Sequence, residues 1–309
     1  MAPDVIVHDV GLRDGLQVEE TVVPTERKLA WLRLLAESGV DMIQVGSFVH
    51  PGKVPQMADT DRLFASLAEP GARPPGVVLS GLVLNEKGLE RGLACGVDYF
   101  CMGVSASDTH SRRNTGMGTE EAADRIVAMA TRARDAGKGV QVSVQSAFGC
   151  GYEGVVPEAR VLDLARRFLG AGLRTISLAD TAGHAHPEQV ERLFTALGAL
   201  DPSVECVCHL HDTYGLGLAN TVAAIGAGAR FVESAFAGLG GCPFTAVTGG
   251  NVATEDVVHL LHRMGRRGDI RLDRLVALAQ DAARFFGRPL PGTIHRTGPV
   301  PEHPAPPSA

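Results

Sequence analysis

No stretch of this sequence approaches the roughly 20 consecutive apolar residues that cross a bilayer, so no membrane-spanning helix is expected. There is no surplus of positive charge. Twenty-nine Lys and Arg (29) stand against 35 Asp and Glu, a formal net charge of −6, with both signs mixed along the chain. That excludes a nucleic-acid stripe or a basic membrane face and leaves room only for a local basic patch that meets a phosphorylated ligand. Cysteine is scarce. Cys95, Cys101, Cys150, Cys206, Cys208 and Cys242 are too few and too scattered in 309 residues for a disulfide framework, which predicts a reducing cytoplasm. The segment Met1-Ala2-Pro3-Asp4 has neither the apolar core of a secretory signal nor an Arg/Ser-rich transit pattern.

What is present is ample apolar material. Hydrophobic residues make up 45% and charged residues 21% of the chain, enough for a large core. The length suits one α/β barrel, which needs about 250 residues.

Short β-branched runs alternate with longer segments of helical period, and eight such pairs can be counted. Strands are expected at Val5–Val10, Met42–Phe48, Val77–Val83, Tyr99–Val104, Val140–Ala147, Thr175–Ala179, Val204–His211 and Phe231–Ala235. Helices are expected near Thr25–Ser38, Asp61–Ala68, Lys87–Cys95, Thr119–Ala136, Pro157–Gly170, Pro187–Leu200, Leu216–Gly226 and Thr254–Met264. Thr119 reads as an N-cap before two acids, Pro157 and Pro187 as first-turn prolines, and Gly39, Gly96, Gly137, Gly172 and Gly228 as left-handed caps. Eight alternating units imply a parallel sheet closed into a (β/α)8 TIM barrel. The alternative, a doubly wound open sheet, wants a glycine-rich nucleotide turn after its first strand, and here that turn reads Gly11-Leu12-Arg13-Asp14-Gly15. A ninth helix, about Asp273–Phe286, is expected to pack against the barrel. The expected layout is one domain over 1–298 and a proline-rich, disordered tail over 299–309.

In such barrels the reactive groups lie at the C-terminal ends of the strands and in the loops that follow. Four segments meet that test. Arg13 and Asp14 place a cation beside an anion after strand one, although a solvated ion pair at a turn would read the same. His209 and His211 end strand seven; residues two apart share a face, so both imidazoles point into the barrel mouth and suit a divalent metal. Cys206 and Cys208 are expected on that same face, deeper in the barrel, as small core fillers rather than zinc ligands. Gly238-Leu239-Gly240-Gly241-Cys242-Pro243 follows strand eight, and a thiol on such a loop is a candidate proton donor or acceptor. Asn251, after Gly249 and Gly250, either caps the next helix or offers its carbonyl oxygen to a metal. Asp14, His209, His211 and Asn251 together would form a mixed oxygen/nitrogen site with positions left for substrate. Its oxygens favour Mg²⁺ or Mn²⁺, and its imidazoles would also accept Zn²⁺ or Co²⁺.

These residues fall into a recognisable order. Val10–Gln17 (VGLRDGLQ), Val45–Phe48 (VGSF) with Val54–Asp59 (VPQMAD), Ser177–Thr181 (SLADT), His209–Gly215 (HLHDTYG), and Ala237–Pro243 (AGLGGCP) with Gly250–Asp256 (GNVATED) resemble the hydroxymethylglutaryl-CoA lyases, from about Val5 to Met264. The AGLGGCP loop is the specific element. The RDG and HxH elements are shared with the wider superfamily of metal-dependent lyases and Claisen synthases.

The resemblance implies a lyase that cleaves a 3-hydroxy-acyl-CoA ester to acetyl-CoA and a keto acid. It implies Asp14, His209, His211 and Asn251 as metal ligands and Arg13 as the cation that stabilises the thioester enolate. Cys242 is implied as the proton donor, Asp180 and Glu255 as supporting polar positions, and a homodimer as the assembly. Two departures stand out. Gln44, on strand two and facing the site, replaces the family's usual glutamate, and Glu20 replaces a common lysine. The loop Ser105–Asn114 also differs, and its Arg112 and Arg113 are candidate contacts for coenzyme A phosphates, with a solvated surface pair as the plainer reading. Gln44 puts the exact acyl substrate in question. Two other functions compete: a bond-forming Claisen synthase, expected to carry a long C-terminal regulatory domain, and a barrel that binds metal or acyl-CoA without turnover.

Overall fold

The computed structural model describes residues 3–241 and 250–301. Eight parallel strands close into a barrel in sequence order, and the last pairs with the first. They are β1 (Ile6–Asp9), β2 (Met42–Ser47), β3 (Val78–Leu82), β4 (Tyr99–Ser105), β5 (Gly139–Gln145), β6 (Thr175–Asp180), β7 (Glu205–Leu210) and β8 (Ala229–Ser234). Each lies within a few residues of the expected run. β5 stops earlier than expected because Ser146, at φ 54°, turns the chain out of the strand.

The helices are α1 (Thr25–Ser38), α2 (Thr60–Ala68), α3 (Glu86–Ala94), α4 (Asp108–Thr115), α5 (Thr119–Asp135), α6 (Glu158–Gly170), α7 (Pro187–Gly198), α8 (Gly217–Gly226), α9 (Thr254–Arg263), α10 (Leu272–Phe286) and α11 (Ile294–Thr297). α10 is the expected ninth helix. The left-handed glycines hold, as at Gly39 after α1 (φ 87°). Three local details differ. Gly118, not Thr119, holds the N-cap position of α5, and the Thr119 N–H donates to Asp108 Oδ1 at 2.9 Å. Pro157 is itself the N-cap of α6. α4 was not anticipated, because Asp-Thr-His-Ser-Arg-Arg-Asn-Thr carries no apolar stripe. It is held by the Ser107 hydroxyl, which accepts from His110 N, and by left-handed Gly116. The tail expected over 299–309 lies mostly outside the described residues.

The core is a shell between strands and helices, with a smaller cluster inside the barrel. Strand alternation decides which residue goes where. Cys206, Cys208 and Leu210 face outward into the shell, while Val207, His209 and His211 face inward. The expectation that both cysteines share the histidine face is therefore wrong: they are one residue out of step with His209. They are buried fillers all the same, and burial pushes the Cys206 thiol up to about 11.

Inside the barrel, Met42, Val207 and Phe231 form a lower apolar layer, with Ile6 and Tyr99 against it. The next turn of inward residues is polar: His8, Gln44, Ser80, Cys101, Gln141, Glu233 and His209, all buried. Barrel interiors are usually filled by branched apolar side chains, so this upper layer marks one end of the barrel as different. Trp31 on α1 meets Phe236 edge-on, ring centroids 5.4 Å apart, and fixes the chain leaving β8.

Candidate metal centre

Asp14 reaches the barrel mouth on a single wide turn, Gly11–Gly15, that follows β1. The amides of Arg13, Asp14 and Gly15 all point at Val10 O, at 3.1, 2.7 and 3.3 Å, and such π-type turns recur at functional sites. Gly11 is required there, since a Cβ would lie 2.4 Å from the Phe236 ring. His209 and His211 project from the end of β7. Their Nε2 atoms are 3.2 Å apart, and each faces Asp14 Oδ2, at 3.8 and 3.9 Å. A point equidistant from the three atoms lies about 2.1 Å from each, the usual bond length from imidazole nitrogen or carboxylate oxygen to a small divalent cation.

Asn251 closes the ring. Its Nδ2 donates to Asp14 Oδ2 at 2.8 Å and to Leu239 O at 3.0 Å, while its Oδ1 is buried with no partner. A half-turn of the amide would bring that oxygen toward Asp14, the orientation a cation would select. The donor set and the orphaned oxygen fit a divalent metal. Gly240, at φ 113°, lets the loop after β8 pass so close that a Cβ would lie 2.3 Å from Asn251 Nδ2.

Charge around the ring is balanced. Burial opposes ionisation of Asp14, but Arg13, His211 and His209 outweigh it and hold its carboxyl far below the usual range. Arg13 donates from Nη1 to Asp14 Oδ1 and from Nε to Gln44 Oε1, and Gln17 Nε2 adds a bond to Asp14 Oδ1 at 2.8 Å. Burial would lower His209, yet the bond and charge of Glu233, and then Asp14, raise it.

The remaining sequence candidates fall in different places. Gln44 is fully buried against Arg13, as expected for an inward strand position. Asp180, at the end of β6, accepts from His184 N and Ala185 N at 2.8 and 3.1 Å, so it braces a turn beside the cluster, and burial raises its carboxyl. Glu255 is not in the ring. It accepts from Ala237 N at 2.9 Å and meets His295 Nδ1 at 3.0 Å, beneath the root of the loop after β8. Arg112 and Arg113 sit on α4. Arg112 bonds Asp108 at 2.7 Å, and Arg113 lies 4.4 Å over the Tyr152 ring. Their helix also sends His110 and Asn114 to the wall of a cavity shared with Arg13, Asp14, His209 and Gly241. Cys242 lies outside the described residues, next to that Gly241.

Sequence reasoning missed Gln17, which sits inside a quoted motif, and Glu233, an acid two residues after Phe231 and hence inward by strand period. Glu233 is the larger omission, since it touches His209 directly.

The chain can be set beside known proteins at this point. The HMGL-like family profile matches residues 4–282. The chain is 36% identical over 287 residues to the hydroxymethylglutaryl-CoA lyase of Bacillus subtilis, covering 93% of this chain and 95% of that protein. It is 36% identical over 302 residues to the (R)-citramalyl-CoA lyase of Chloroflexus aurantiacus, covering 96% and 95%. An HMG-CoA lyase structure from Acinetobacter baumannii, in complex with coenzyme A and 3-methylmalate, superimposes with a TM-score of 0.90 at 33% identity over 98% of each chain. By profile, sequence and architecture together, this chain belongs to the HMGL-like family.

Proposed function

We propose that this chain is a metal-dependent carbon–carbon lyase that cleaves a 3-hydroxy-3-methylglutaryl-CoA-like ester to acetyl-CoA and a keto acid. The observation that carries the reading is the convergence of Asp14, His209 and His211 on one point, beside Arg13 and the orphaned Asn251 oxygen. Asp14, His209, His211 and Asn251 would hold Mg²⁺ or Mn²⁺, with Zn²⁺ or Co²⁺ as further candidates, and the ion would supply Lewis-acid polarisation that makes the substrate's hydroxyl more acidic. Once that hydroxyl has released its proton to solvent, the C2–C3 bond breaks, the alkoxide becoming the ketone and the bonding pair passing into the thioester enolate. Arg13, oriented by Gln44 and Asp14, offsets the enolate charge. The Cys242 thiol then donates a proton to the enolate carbon. Glycines 238, 240 and 241, which lead to Cys242, all hold positive φ, a backbone path that side chains would disfavour.

A second substrate is favoured by one observation. Gln44 is a neutral amide bonded to Arg13 where the family resemblance leads one to expect a carboxylate, and one relative is named for citramalyl-CoA. A different 3-hydroxy-acyl-CoA is therefore the alternative. Arg112 and Arg113 remain proposed contacts for coenzyme A phosphates at the mouth. A homodimer and residence in a reducing cytoplasm complete the reading, with residues 1–298 as one domain and 299–309 as a tail. Native mass measurement tests the dimer. The described cysteines are all free, and no described helix is long and apolar enough to cross a membrane.

The deciding experiment measures acetyl-CoA release from hydroxymethylglutaryl-CoA and from citramalyl-CoA, after chelation and after adding Mg²⁺ or Mn²⁺. Activity that depends on the metal supports the reading; full rate in metal-free protein overturns it.

A further inference from the structure

Glu233 stands in the barrel's upper polar layer, outside every motif that the resemblance rests on. Its carboxylate faces three side chains. Oε2 lies 3.0 Å from His209 Nδ1, Oε1 accepts from Gln141 Nε2 at 2.9 Å, and Oε1 also lies 3.3 Å from His8 Nδ1. His8 is held at its far side by Ser80 Oγ at 2.7 Å. Every member is buried. An ionised carboxylate only accepts hydrogen bonds, so the facing nitrogen of His209 must be the one that carries hydrogen. In a neutral imidazole the other nitrogen, Nε2, is then a lone pair, and Nε2 is the atom that faces Asp14 and His211.

We infer that Glu233, anchored by His8 and Gln141, is a positioning residue that fixes His209 in its Nδ1–H tautomer and so presents Nε2 to the cation. The inference rests on the metal-site reading above and adds a residue to it. Carboxylates that brace a ligating imidazole are worth about 10- to 100-fold in metal affinity. The anchors come from β1, β3 and β5, so the brace draws on strands that supply no ligand themselves.

The test has two readouts, neither of which needs turnover. Imidazole ¹⁵N spectra of metal-free protein should show His209 protonated at Nδ1, and Glu233→Gln should populate the other tautomer. Mn²⁺ titration should then give binding weakened about 10- to 100-fold in Glu233→Gln, partial recovery in Glu233→Asp, and a smaller loss in His8→Phe. Met42→Ala, in the apolar layer below, should change neither readout. If wild-type His209 carries its hydrogen on Nε2, or if folded Glu233→Gln binds Mn²⁺ as wild type does, the inference is wrong. The wild-type spectrum decides even if Glu233→Gln does not fold. A wild type that binds Mn²⁺ with the Nδ1–H tautomer, yet cleaves no acyl-CoA, would overturn the lyase reading and support this one.

Discussion

The two layers inside the barrel are built on the same strands by the same alternation, yet they do opposite work. In the lower layer Met42, Val207 and Phe231 pack as one apolar cluster, with Ile6 and Tyr99 against it. One step up each strand, His8, Gln141, Glu233 and His209 replace them with a buried hydrogen-bonded set. A buried polar group left unpaired costs about 1–3 kcal/mol, a cost the upper layer offsets in part by the hydrogen bonds that Glu233 makes with His209 and Gln141. The comparison teaches that the barrel separates stability from chemistry by depth, with the shift occurring within two residues of strand.

The separation can be broken at the ligands first. Asp14→Asn should abolish metal binding and lower kcat about a thousandfold or more, since Lewis-acid catalysis is worth several kcal/mol; steady-state kinetics and a Mn²⁺ titration check both halves. Next in size, Cys242→Ser should lower kcat by about 100- to 10,000-fold, the range for a lost general acid, while Mn²⁺ affinity stays at the wild-type value. Met42→Ala should do the reverse, costing about 2–5 kcal/mol of stability and leaving kcat and metal affinity alone. If Met42→Ala weakened Mn²⁺ binding, depth would not separate the two tasks.

A smaller effect is expected at Gly240→Ala, where the new methyl collides with the Asn251 amide. Metal affinity should fall, and the melting temperature should drop with it because alanine is strained at φ 113°, which denaturation and titration together would show.

The smallest concerns pH. Asp9 lies beneath the loop root, accepting from Gly11 N, Phe236 N and Thr254 Oγ1, and burial raises its carboxyl to about 7. The folded protein thus keeps a proton that the unfolded chain releases near pH 4. Relative to Asp9→Asn, wild-type stability should decline as pH rises from about 4 to 7 and level off above. A constant difference between the two melting curves across that range would refute the assignment.

The architecture was legible because its signals are periodic and local. Apolar runs of strand length and helices of the expected length recur eight times, Gly39, Gly96, Gly137, Gly172 and Gly228 follow five of the helices with left-handed φ, and each repeat corrects small errors in the others. The ligand ring was legible through His209 and His211, whose spacing states their shared face. The brace was not. Glu233 shares β8 with Arg230 and Ser234, so its polarity alone does not mark it, and its place opposite His209 on β7 shows once the strands are in register. The misplacement of Cys206 and Cys208 is the same kind of error, since one residue of phase separates a barrel lining from a shell. α4 escaped because its stability comes from Ser107 and Gly116 at its ends rather than from an apolar face. Glu255, implied by the resemblance as a supporting polar position, lies outside the ring, with its carboxyl held by Ala237 N and His295.

Asp14 and Asn251 are joined by a hydrogen bond across 237 positions of chain. On the ribosome, the cation site stays unfinished until almost the last strand and helix have emerged, and no earlier fragment owns a full set of ligands. Capture of the metal would then report that the final seam, where β8 meets β1, has closed.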